Sequence, residues 1–177
     1  MRVDEVDHRS TPLLAVCTTA TNAIAELREF SEAGMFDKTT SLEYAEYFNG
    51  AVLVACQAYM TGTASDINMM LGALGRSYMT RGELCKQSPN VVNGYTQIQL
   101  IDALANCFKH HEEKGFWVEP RASKVLQAYG IVESTAFPLH EGIEHILGGS
   151  TDLRGLSSVV EGWRFMQIET LCRDHSS

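Results

Sequence analysis

Between Thr11 and Glu32 the apolar residues Leu13, Val16, Cys17, Ala20, Ile24, Leu27 and Phe30 recur at three- and four-residue steps. That spacing puts them on one side of an α-helix, and nowhere in the 177 residues does a sustained strand-like alternation compete with it. The constraint is strong: the chain must bury helical stripes against one another, so the expected fold is an all-α, compact multi-helix bundle. Pro12 suits a first helical turn and Gly34 a stop. Thr40-Ser41-Leu42-Glu43 has the form of a capping box and predicts a second long helix to about Tyr59 or Met60. Within it, the run Val52 to Cys56 is apolar on every side, as in a helix crossing the centre of a domain.

A shorter helix is expected from Ser65-Asp66 through Leu74, and an irregular loop from Ser77 to Asn93, where Gly82, Ser88-Pro89-Asn90 and Asn93-Gly94 fall. Tyr95 to about Lys114 is a further helix, ended by Gly115. An extended connector to Pro120 leads to short helices near Arg121–Tyr129 and Leu139–Ile146, and a last helix runs to about Cys172. The whole, 1–177, is read as one domain with residues 1–10 a loose lead-in.

Composition narrows the class. Apolar residues make up 45% and charged residues 20%, the balance of a globular chain. No apolar run is long enough to span a membrane, and acids stand at the N-terminus where a secretory signal would be basic, so a cytoplasmic protein is expected. Five dispersed cysteines without Cys-x-x-Cys spacing point to reduced, mostly buried thiols. The net charge of −8 repels nucleic acid at long range, and Arg76, Arg81 and Lys86 form the one basic cluster.

Chemistry concentrates in the helix at 95–114. Ala105-Asn106-Cys107-Phe108-Lys109-His110-His111, followed by Glu112 and Glu113, brings amide, thiol, ammonium, imidazole and carboxylate together. At about 100° per residue, Gln99, Asp102, Asn106, Lys109, His110 and Glu113 share one polar arc, while apolar side chains fill the remainder. His111 points away from that arc. The candidate catalytic residues are therefore Asn106, Lys109 and His110, with imidazole for proton transfer, ammonium for fixed positive charge and the amide to orient a phosphate or hydroxyl. Asp102 and Glu113, with Trp117 and Arg121 from the connector, are the candidate binding residues. The alternative is a solvated helix face held by pairs three and four residues apart. No metal or cofactor is expected: His140 and His145 in His-Glu-Gly-Ile-Glu-His stand five apart, too far round a helix to share a zinc ion. Met60, Met69, Met70 and Met79 are a further candidate, as the lining of an adaptable small-ligand groove.

The segment Asn106-Cys107-Phe108-Lys109-His110 on a late helix, after two long helices, resembles HEPN-type domains, small all-α proteins of prokaryotic toxin and defence systems. It is also similar to bacterial helical proteins with related Asn-x-x-Lys-His segments. The HEPN resemblance implies a metal-independent ribonuclease site across a homodimer cleft, in which an arginine, a polar residue, three further residues and a histidine act on RNA. Asn106 matches the polar position and His110 the histidine, but Ala105 stands where the arginine belongs and alanine cannot grip a phosphate. Two expectations follow: a non-catalytic binding or regulatory module, homodimeric, with a protein partner or RNA, or a ribonuclease in which Lys109 substitutes for the arginine.

Overall fold

The computed structural model describes residues 7–89, 91–117 and 119–174, and for Glu112, Lys114 and Asp174 the backbone alone. Seven helices and one small hairpin make up its regular structure: α1 (Ser10–Glu32), α2 (Lys38–Ala73), α3 (Arg81–Cys85), β1 (Val91–Val92), β2 (Tyr95–Thr96), α4 (Gln97–Lys114), α5 (Pro120–Ala128), α6 (Pro138–Leu147) and α7 (Arg154–Asp174). The fold is all-α. α1 packs along α2, and α2 in turn meets α4, α6 and α7. Leu53, Cys56 and Met60 of α2 and Ile101, Leu104 and Ala105 of α4 are fully buried at the centre of one apolar core.

Several boundaries differ from the sequence expectation, each for a local reason. The cap of α2 is Asp37, whose carboxylate accepts the Thr40 amide at 2.9 Å, so Thr40 lies inside the helix and is no cap. α2 also runs unbroken through Thr61-Gly62-Thr63 to Ala73, where a break and a new helix at Ser65-Asp66 were expected. Met60, Ala64, Ile67 and Leu71 keep their helical spacing on the buried side, and this packing outweighs the roughly 1 kcal/mol that a glycine costs a helix. Gly62 also gives Arg9 room, since a Cβ there would lie 2.3 Å from the Arg9 Nε.

The segment expected to be an irregular loop is ordered at two points. Thr80 and Glu83 form a reciprocal capping box that starts α3. Asn93 and Gly94, at φ +48° and +86°, turn Val91–Val92 back onto Tyr95–Thr96, so Tyr95 belongs to a strand and α4 begins at Gln97 under a Thr96–Gln99 capping box. Asn68 clamps the approach, its amide bonding both the Met79 N–H and the Met79 carbonyl, at 2.9 and 2.8 Å. The carbonyl end of α3 is tied down by Thr96 Oγ1, which donates to Cys85 O at 2.6 Å, and by Trp163 Nε1, which donates to Leu84 O at 3.2 Å.

The lead-in is fastened where it is described. Asp7 accepts from the Tyr59 hydroxyl, and Arg9 donates to Asp66 at 2.6 Å. Arg164 of α7 is 4% exposed and lies 3.4 Å from both Asp7 and Asp66. The expectation of a loose segment at residues 1–6 lies outside the described residues. Among the described residues no helix is long and apolar enough to cross a membrane.

Candidate functional site

The polar arc of α4 faces Gln57 of α2. Gln57 follows the all-apolar run Val52–Cys56 and is itself buried, so its amide must find partners within the protein. It finds them on α4: Nε2 donates to Asp102 Oδ1 at 2.6 Å and to Asn106 Oδ1 at 2.9 Å, while Oε1 accepts Lys109 Nζ at 2.6 Å. The same Asp102 oxygen also meets Arg81 of α3 at 2.8 Å, and Arg81 donates to Thr61 Oγ1 at 2.9 Å. The result is a continuous polar ladder, Thr61–Arg81–Asp102–Gln57–Asn106/Lys109, linking α2, α3 and α4. Three of the predicted site residues, Asp102, Asn106 and Lys109, are thus brought together by a fourth residue that the helical arc alone did not reveal.

The outer side of the ladder borders a cleft of about 490 Å³ between α3, α4 and α5. Its edges carry Arg81 and Arg121 against Asp102 and Glu119, and Cys85, Ala103, Ala122 and Val125 contribute apolar surface. Arg121 is therefore placed with Asp102 and Asn106 and does not line the cleft beside His110. Burial pushes the Cys85 thiol up to about 12, so it stays protonated at neutral pH. Glu119 also starts α5, accepting the Arg121 and Ala122 amides.

His110 stands apart from the ladder. Its ring is half exposed and its Nδ1 lies 3.6 Å from Glu113 Oε2, on the solvent side of α4. It shares with Asn106, Phe116 and Glu119 a smaller cleft of about 230 Å³. Cys107 also lines that cleft, with its thiol pushed up to about 12 by burial and by the nearby Glu119 charge. Ala105 is fully buried, so the position at which the HEPN resemblance expects an arginine faces the core and not the cleft.

His111 does point elsewhere, as the helical arithmetic predicts. It stacks on Phe108, with ring centroids 5.2 Å apart, and meets Tyr47 of α2 edge-on at 6.3 Å. Trp117, a candidate binding residue with Asp102, Glu113 and Arg121, lines the aromatic pocket beside His111 and is not brought to the His110 cleft. The two histidines of α6 also part company: His140 lies 3.5 Å from Glu144, and His145 meets the Tyr129 ring. Among the described residues no three His, Cys, Asp or Glu side chains converge as metal ligands would. The methionines do not form a groove either, for Met60 is fully buried while Met69 is largely exposed.

No protein-family model matches the chain, and comparison with curated proteins and with solved structures gives no match.

Proposed function

We propose that the protein is a non-catalytic binding module that engages its partner through the mixed-charge cleft between α3, α4 and α5. The observation that carries this reading is the Gln57 ladder. Lys109 Nζ and Asn106 Oδ1, on two residues that a ribonuclease would turn toward a phosphate, are engaged by a buried amide, and His110 lies outside the same ladder. A cleft edged by Arg81, Arg121, Asp102 and Glu119 suits a polypeptide segment that offers both an acidic and a basic side chain. It suits RNA poorly, since two of those four groups would repel phosphate. The cleft is built within one chain, so this reading does not require a homodimer.

Affinity purification from the native host, with Arg121→Glu as the paired control, tests the reading. A polypeptide retained by the wild type and released by Arg121→Glu, then reproduced with the two purified components, is the expected result. Retention indifferent to Arg121→Glu contradicts it. The second reading, a metal-independent ribonuclease, is favoured by one observation: Asn106 and His110 line a common cleft. RNA cleavage that disappears in His110→Ala would establish it.

A further inference from the structure

On the opposite side of α4 from the ladder, a second pocket of about 350 Å³ is walled by aromatic rings. Tyr47 of α2, Phe108 of α4, Phe116 and Trp117 of the connector and Phe137 before α6 line it, with the His111 ring alongside. The rings do not lie in one plane. Tyr47 meets Phe108 at 79° and Phe116 meets Trp117 at 62°, so ring faces and edges turn in several directions around the space. Gly50 makes the wall possible, because a Cβ there would come within 2.4 Å of the Phe108 ring.

Two further facts fix the sign of charge such a pocket accepts. Glu43 and Glu46 line it, and no lysine or arginine does. The N-terminus of α6 also reaches it, and an open helix N-terminus would favour an anion, but here its amides are already engaged. Pro138 has no N–H, Leu139 N and His140 N donate to Glu46 at 3.0 and 2.6 Å, and Glu141 N donates to Phe137 O at 3.0 Å. The anion position is filled by the protein's own carboxylate. What remains is aromatic surface beside negative charge, the environment in which alkylated ammonium groups are held by ring quadrupoles.

We propose that the Tyr47–Phe108–Trp117 pocket binds the alkylated ammonium group of a small organic cation, independently of the partner cleft across α4. Choline chloride is the probe, and its uncharged isostere 3,3-dimethyl-1-butanol the control, with binding to the full chain followed by calorimetry. Saturable choline binding in the millimolar range or tighter is expected, with the isostere at least tenfold weaker. Trp117→Ala and Glu43→Gln should each weaken choline several-fold while the thermal unfolding curve stays in place. Should Trp117→Ala disturb folding, Tyr47→Ala reports the same loss, because Tyr47 is already more than half exposed. Equal binding of the isostere would reduce the site to an apolar pocket and overturn the proposal. So would absence of choline binding at tens of millimolar, or choline binding indifferent to the loss of an aromatic wall in a folded variant. Phosphatidylcholine vesicles separate a free cation from a lipid headgroup: the protein should remain in the supernatant, and Trp117-dependent sedimentation with vesicles would overturn the free-ligand assignment.

Discussion

Gln57 holds three α4 side chains with a single amide, and every polar atom of that amide is used. Gln57→Leu keeps the volume but removes the donors and the acceptor, leaving Asp102 and Asn106 facing an apolar group. We expect a loss of about 2 kcal/mol in urea unfolding, the scale of partly buried polar groups stripped of a partner. The ladder makes a sharper claim as well: the effects of Gln57→Leu and Lys109→Met should be non-additive, because both cut the same bond. Gly50 is the second residue on which much depends. Gly50→Ala drives a methyl into the Phe108 ring and should destabilise the fold by about 1–3 kcal/mol, the usual range for overpacking, while shifting the aromatic signals of Phe108 and Tyr47 in NMR spectra.

Among the elements, α6 depends on another helix for its cap. Its own N-cap residue, Phe137, makes no side-chain cap bond, and Glu46 of α2 accepts its first amides instead. Glu46→Ala should therefore cost about 1 kcal/mol, a typical cap contribution, and should loosen α6 first in hydrogen exchange. Burial raises the Glu46 carboxyl above its ordinary value, against the opposing pull of the Leu139 and His140 amides. The folded protein thus holds this proton more tightly than the unfolded chain. The Glu46 contribution is greatest below the ordinary glutamate range and declines as pH rises through the raised value, and Glu46→Gln should flatten that decline.

A cap supplied across the fold leaves no local trace in sequence, and the same limit explains what could be read and what could not. The helical stripes of α1, α4 and α7 were legible because each is a local periodicity. The polar arc of α4 was legible for the same reason, as was the separation of His110 from His111. The partner of the arc was not, although a lone glutamine after the apolar run Val52–Cys56 is a signal that a buried amide needs company. The burial of Arg164 was not legible because its two carboxylates, Asp7 and Asp66, lie far away in sequence. The unbroken α2 and the Asn93-Gly94 hairpin show two different failures: tertiary packing overrode a glycine in the first, and a turn signal was seen without the strands beside it in the second.

At the scale of the whole molecule, the N-terminal segment, α2 and α7 are joined through Asp7, Tyr59, Asp66 and Arg164. Burial alone would raise the Asp7 carboxyl, but the Tyr59 hydroxyl, the Arg9 amide and the charges of Arg164 and Arg9 together hold it below its usual value. A depressed carboxyl contributes stability above its unfolded value and loses it as pH falls through the folded one. Acid should therefore release this junction, and Asp7→Asn should unfold with a weaker dependence on pH in that acidic range, as measured by circular dichroism. The same body presents two unlike surfaces on the two sides of α4, a mixed-charge cleft and an aromatic pocket, and the Gln57 ladder lies behind the first.

We propose that the polar residues of α4 serve structure and recognition and do not cleave RNA. Incubating a mixed-sequence RNA pool with the purified wild type and with His110→Ala, at matched concentration and confirmed fold, tests it most directly. Both proteins should leave the same RNA pattern as buffer alone. Cleavage by the wild type that is lost in a folded His110→Ala variant would contradict it.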